Sequence, residues 1–198
     1  MKLGNQADRE RDGQIQVEPV DRMLAITSDT GKFFNILLRS ISAKNILEIG
    51  TSTGYSTLWF ADAIRNFGGK IVTIEENLSK INRAITNFQD AKIIELVEIK
   101  QGNAKEILSN ISKEFQTNKL EPFDFVFIDA DKENSVQYFD LVFPMVRVGG
   151  FIAADNILYP QSCVLEMRRY SNYVKNKPNV KSVTVPIGNG EELTLRIS

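Results

Sequence analysis

The sequence predicts an α/β fold, a mostly parallel sheet with helices on both faces, closed by a C-terminal antiparallel hairpin. Three observations lead there. Five apolar runs of strand length, at 45–49, 70–74, 96–100, 123–128 and 151–154, alternate with stretches of helical periodicity. Such alternation requires right-handed crossovers between parallel strands. Two further runs, 180–186 and 192–197, flank Gly188-Asn189-Gly190, which is a hairpin signal and brings the sheet to seven strands. Finally, the fourth and fifth strands both stop on carboxylates, as strands do where a parallel sheet opens onto a ligand crevice.

Taken in order, residues 1–14 are polar and read as a flexible N-terminal arm, with 15–198 as one domain. Val17, Val20, Met23, Leu24 and Ile26 recur at helical spacing, and Pro19 suits a first turn. Ser28-Asp29-Thr30 offers an N-cap to an apolar helix carrying Phe33, Phe34, Ile36, Leu37, Leu38 and Ile41. The first strand, with Glu48 among apolar residues, runs into Gly50-Thr51-Ser52-Thr53-Gly54. A helix over 57–66 stops at Gly68-Gly69, and the second strand ends at Glu75. Helix 77–88 leads to the third strand, which ends at Gly102-Asn103-Ala104 and feeds a helix over 105–115. The fourth strand ends in Asp129-Ala130-Asp131-Lys132, and a helix over 134–146 follows. The fifth ends in Asp155-Asn156, and a last helix, 164–175, precedes the hairpin.

Composition narrows the chemistry. With 24 Lys plus Arg against 25 Asp plus Glu, the net charge is −1, so no global attraction to nucleic acid or anionic lipid follows. The one cysteine, Cys163, excludes an intrachain disulfide and points to a cytoplasmic location. There is no histidine, so a general base must come from Asp, Glu, Lys or Tyr, and a metal site from oxygen donors. No apolar run approaches the roughly 20 residues of a membrane span, and residues 1–12 carry no signal-peptide core.

Asp129, Asp155 and Asn156 would bring three oxygen donors to one point, a set suited to Mg²⁺. Each alone is more often a turn residue, but two such clusters on adjacent strands weaken that reading. Lys132, beside a divalent cation, would have its pKa lowered toward that of a general base. Gly50 permits a sharp turn and close approach of a ligand, yet Ser52 and Tyr55 break the dinucleotide fingerprint. Glu75, at a strand end, can accept from both ribose hydroxyls, or can simply stand at a helix start. Glu48 requires a partner, which can be a cation, an amine or backbone donors. Asn103 reads equally as an adenine contact and as a helix cap.

The segments 47–56 (LEIGTSTGYS), 123–132 (FDFVFIDADK) and 148–156 (VGGFIAADN) resemble the cation-dependent O-methyltransferases of the catechol and caffeoyl-CoA type. The resemblance runs from about residue 23 to the end. It implies a Rossmann-like class I methyltransferase fold and S-adenosylmethionine as cofactor. It further implies Asp129, Asp155 and Asn156 as ligands of Mg²⁺ (or Mn²⁺ or Ca²⁺), and Lys132 as the catalytic base. Glu48, Gly50, Thr51 and Ser56 correspond to contacts with the methionine part of the cofactor, and Glu75 to the ribose ligand. Asn103 and Ala104 fall beside the adenine, Asp129 and Asp131 face the cofactor, and Ile26 belongs to a covering segment.

The expected acceptor is a small molecule with a catechol-like or phenolic hydroxyl, and the expected assembly is a homodimer. A hydroxylated tRNA base, or a non-catalytic cofactor-binding role, are the alternatives. Relatives often carry a tryptophan and a longer loop after the Asp-Asn pair, where this chain has Leu158-Tyr159 and a short 160–163 segment.

Overall fold

A computed structural model describes residues 25–198. The expected arm, and all of the 17–26 helix except its last two residues, lie outside the described residues. Ala25 and Ile26 are not helical. The described chain runs α1 (Ser28–Ser40), β1 (Asn45–Ile49), α2 (Tyr55–Ile64), β2 (Lys70–Glu75), α3 (Leu78–Asp90), β3 (Val97–Gln101) and α4 (Ala104–Gln116). It continues through β4 (Phe123–Ile128), α5 (Ser135–Val142), β5 (Val146–Ala154), α6 (Val164–Lys175), β6 (Val180–Val185) and β7 (Glu191–Arg196).

The seven strands lie in the order β3-β2-β1-β4-β5-β7-β6. The first five are parallel, while β7 pairs antiparallel with both β5 and β6. The chain moves outward from β1 to β3, then returns to the other side of β1 as β4. That reversal opens a crevice at the carboxyl ends of β1 and β4.

Alternation along β4 explains the two cores. Phe125 and Phe127 point to the face covered by α1 and α2, where Phe34 lies 5.3 Å from each ring. Val126 and Ile128 point to the opposite face, against α5 and α6. Phe123 joins this second face and breaks the alternation, and the β4–β5 register shifts between Phe123 and Phe125.

Several expected boundaries move. The cap of α1 is Thr27, whose hydroxyl accepts from the Thr30 amide at 3.2 Å, so Ser28 is already helical. The helix expected over 134–146 is a 3-10 turn (Lys132–Asn134), α5, and a second 3-10 turn (Phe143–Met145) carrying Pro144. The strand expected at 151 starts at Val146, because pairing with β4 carries it through Gly149-Gly150. Gly149 has φ +78°, and a Cβ on Gly150 would lie 2.9 Å from the Asp124 carbonyl.

Candidate active site

At the carboxyl ends of β1, β2, β4 and β5 the sheet opens into a cleft of about 920 Å³. Its floor is the turn after β1. The amides of Gly50 and Thr51 both donate to the Ile74 carbonyl, at 3.0 and 3.1 Å. Gly50 has φ +103°, and a Cβ there would lie 2.0 Å from the Asp129 carbonyl. Glycine is therefore required by the neighbouring strand, whatever a ligand adds.

Glu75 lines one end of the cleft. Its carboxylate accepts from the amides of Ser52 (2.8 Å), Glu76 (3.0 Å) and Asn77 (2.9 Å). These donors fix its direction and tie the β1 turn to the end of β2. Asn103 is the cap of α4, accepting from the Lys105 amide at 3.0 Å, and it lines the cleft together with Ala104.

Glu48 has 0 % exposure and does not line the cleft. Its partners are the hydroxyls of Ser56 (2.5 Å), Thr57 (2.6 Å) and Thr73 (2.6 Å), a donor type that sequence reasoning did not name. Burial pushes its pKa up to about 7, with these three donors working against the rise. Thr51 also turns inward, to the Thr73 hydroxyl at 2.6 Å. Ile26, Thr51 and Ser56 line a recess of about 10 Å³ that shares Ala25, Gly50, Ser52 and Asp129 with the main cleft.

The other end of the cleft is a cluster of charge. Lys132 Nζ lies 2.7 Å from Asp129 Oδ1, with their side chains 14 % and 19 % exposed. Burial alone would lower the lysine's pKa, but Asp129 and Asp155 outweigh it, and the net shift is upward. Asp155 is 3 % exposed, and its own pKa is raised to about 7 by burial and then by repulsion from Asp129. Asn156 has φ +69° and donates its side-chain N–H to the Tyr159 carbonyl at 3.0 Å. That leaves its amide oxygen available. Behind Asp155 stands Glu191, whose pKa is raised well above the usual range by burial and by Asp155.

Asp131, on the cleft wall, accepts from the Tyr138 hydroxyl at 2.5 Å and from the Asn134 side chain. Burial and then Asp131 push the phenol's pKa up.

Comparison with known proteins decides the family. The family profile described as O-methyltransferase matches residues 11–197. The chain belongs to the O-methyltransferase family. Caffeoyl-CoA O-methyltransferase 1 of Eucalyptus globulus is 34 % identical over 191 residues, covering 89 % of this chain and 76 % of that relative. Among solved structures, the O-methyltransferase TomG from Streptomyces achromogenes, in complex with SAM, is 29 % identical. It superposes with a TM-score of 0.82 over 99 % of this chain and 89 % of its own. An O-methyltransferase from Bacillus cereus in complex with SAH is 28 % identical, with a TM-score of 0.77 over 99 % and 91 % of the two chains.

In this O-methyltransferase, nine of the thirteen residues named from the sequence line one cleft. They are Gly50, Glu75, Asn103, Ala104, Asp129, Asp131, Lys132, Asp155 and Asn156. Sequence reasoning missed Ser52, Tyr138 and Asn189. Ser52 lines the cleft in a left-handed conformation (φ +49°), with a buried hydroxyl that has no partner. Its neighbour Gly50 was the available signal. Asn189 sits in the hairpin turn, and its carbonyl accepts the amides of Leu158 and Tyr159 at 2.9 and 3.1 Å. The short segment after Asn156 is thus pinned to the hairpin, a contact between residues about thirty positions apart that no local pattern announces.

Proposed function

We propose that this O-methyltransferase carries the methyl of S-adenosylmethionine to a hydroxyl of a small catechol-like or phenolic acceptor, with a divalent cation at Asp129, Asp155 and Asn156. The observation that carries the reading is one cleft with two chemically distinct ends. Glu75, Ser52 and Asn103 offer hydrogen-bonding groups at one, and Asp129, Lys132, Asp155 and Asn156 gather charge at the other. The family, and the SAM and SAH bound in similar structures, support the cofactor. The caffeoyl-CoA relatives support a phenolic acceptor.

The donor set suits a hard cation such as Mg²⁺, Mn²⁺ or Ca²⁺, being two carboxylates and one amide oxygen with no sulfur or imidazole. Two carboxylates share one ammonium, Lys132, and burial and repulsion from Asp129 push the Asp155 pKa up to about 7, so the cluster has room for further positive charge. A divalent cation held by these residues would take up the carboxylate charge that otherwise keeps Lys132 protonated, and would supply charge stabilisation to an ionising hydroxyl.

The chain's own residues then have defined tasks. Glu75 accepts from the ribose hydroxyls, its direction fixed by three backbone amides. Neutral Lys132 takes the acceptor's proton on Nζ. The oxygen attacks the sulfonium methyl, forming a C–O bond as the C–S bond breaks, and S-adenosylhomocysteine leaves. Holding the two reactants in line can supply roughly 7–11 kcal/mol of the acceleration.

No helix among the described residues is long and apolar enough to cross a membrane. On the family resemblance alone, we place the enzyme in the cytoplasm, as a homodimer that light scattering can verify. A methyl-transfer screen over simple catechols, caffeoyl thioesters and RNA, run with Mg²⁺ and with excess chelator, tests the function. Transfer to a catechol that stops in chelator is the expected result. Transfer that persists in chelator removes the cation, and transfer confined to RNA removes the small acceptor.

A further inference from the structure

Glu166 lines the cleft, and methyl transfer as derived above gives it no task. It stands in the first turn of α6, with its side chain 29 % exposed. Among the described residues its one partner is the Arg169 guanidinium, at 4.0 Å and 71 % exposed. An ion pair so long and so solvated neutralises little of the carboxylate's charge. A first-turn carboxylate does suit the helix dipole, but any side of that turn would serve. This one stands on the side of the cleft.

Its neighbours place it at the acceptor end. Cys163 lies three residues earlier, on the same helical face, and lines the same wall. The Met167 amide donates to the Cys163 carbonyl at 3.0 Å, and the Ser135 hydroxyl donates to Met167 Sδ at 3.5 Å. Ser135 directly follows the 3-10 turn that carries Lys132, so the start of α6 is docked beside that turn.

The charges at this end do not cancel. In the reading above, a divalent cation matches Asp129 and Asp155, and Lys132 is neutral when it takes a proton. Glu166 and the exposed Glu133, which also lines the cleft, are then left without a cation. The other lysine of the wall, Lys80, sits at the start of α3, just past Glu75 and so at the cofactor end. Among the described residues no arginine lines the cleft. An acceptor substituent bearing carboxylate or phosphate is repelled there, and an ammonium group is attracted.

We infer that Glu166 is a specificity-determining residue that selects the acceptor by charge, favouring a catechol with an ammonium group on its side chain over one with a carboxylate or phosphate. The inference rests on the catechol reading above.

The test uses three catechols of nearly equal shape: 4-propylcatechol, 4-(2-aminoethyl)catechol and 4-(2-carboxyethyl)catechol. Their kcat/KM values with Mg²⁺ and S-adenosylmethionine are compared in the wild type, Glu166→Gln and Glu166→Lys. Their Kd values are measured by calorimetry in the presence of Mg²⁺ and S-adenosylhomocysteine. The wild type is expected to prefer the amine to the carboxylate. In Glu166→Gln the amine should lose about 3-fold and the carboxylate gain about 3-fold, so their ratio moves about 10-fold. Glu166→Lys should move it further in the same direction. The uncharged catechol should hold its values throughout, and the Kd ratios should follow the kinetic ones. A ratio unmoved in both variants overturns the role of Glu166 and leaves the catechol reading standing. A wild type that prefers the carboxylate overturns the charge preference. An equal loss for all three catechols overturns selection and marks a merely structural residue. Absence of transfer to 4-propylcatechol in the wild type overturns the catechol reading, and this inference with it.

Discussion

Replacing Lys132 by methionine separates its two tasks, because the substitution keeps the length of the side chain and removes the charge. At 2.7 Å, the attraction between Nζ and Asp129 is about 6 kcal/mol for an effective dielectric of about 20. Desolvation of both ions offsets part of that, and breaking a largely buried pair typically costs about 3–5 kcal/mol. Urea unfolding in excess chelator is expected to show a loss of this size, and Mg²⁺ is expected to recover part of it by neutralising Asp129. With a saturating catechol at neutral pH, kcat should fall about 10²–10⁴-fold, the usual share of a general base. It should partly recover as pH rises and the acceptor ionises unaided. Cofactor affinity, measured by calorimetry, should hold. Lys132→Arg is expected to restore the ion pair and the stability but not kcat, since guanidinium stays protonated. A wild-type kcat in Lys132→Met at neutral pH would refute the base. An unchanged urea midpoint in chelator would refute the ion-pair argument independently.

Three further perturbations follow from the same geometry. Glu75→Ala removes the acceptor of three backbone amides and the proposed ribose contact; S-adenosylmethionine binding should weaken about tenfold or more by calorimetry, and wild-type affinity would remove Glu75 from the site. Gly50→Ala forces a side chain into φ +103° with its Cβ 2.0 Å from the Asp129 carbonyl, so a loss of more than about 2 kcal/mol is expected in denaturation, and a neutral outcome would contradict the described turn. Glu48, with its pKa raised from 4.5 to about 7, binds its proton more tightly folded than unfolded. Its contribution is therefore full below about pH 4.5 and is lost as pH rises through about 7, a swing of about 3 kcal/mol. Asp155 titrates over the same interval, so the observable is the difference between wild type and Glu48→Gln, whose stability should fall less steeply from pH 5 to 8. Parallel curves would show that Glu48 is not the group responsible.

Much of this enzyme is legible in one dimension. Periodicity separates strands from helices because a strand shows one face every second residue and a helix every third or fourth. The carboxyl ends of parallel strands lie along one edge of the sheet, so the residues at or just past them (Glu75, Asn103, Asp129, Asp155) can be named as lining one crevice before any coordinates exist. The oxygen-only character of the charged cluster follows from the absence of histidine and the single cysteine. Contacts between distant segments belong to the tertiary structure alone. The Gly149-Gly150 pair, which looks like an end, lies inside β5 because β4 supplies a ladder with a shifted register. Three hydroxyls from two other elements satisfy Glu48. The sign of the Lys132 shift depends on two carboxylates from different strands that outweigh burial. Two adjacent glutamates, alike in the sequence, differ completely in the fold: Glu192 faces a set of hydroxyls and a lysine, while Glu191 faces Asp155 with no donor at all. Pleating sends neighbours to opposite sides of a sheet, and what waits on each side is set by chain segments that local patterning cannot reach.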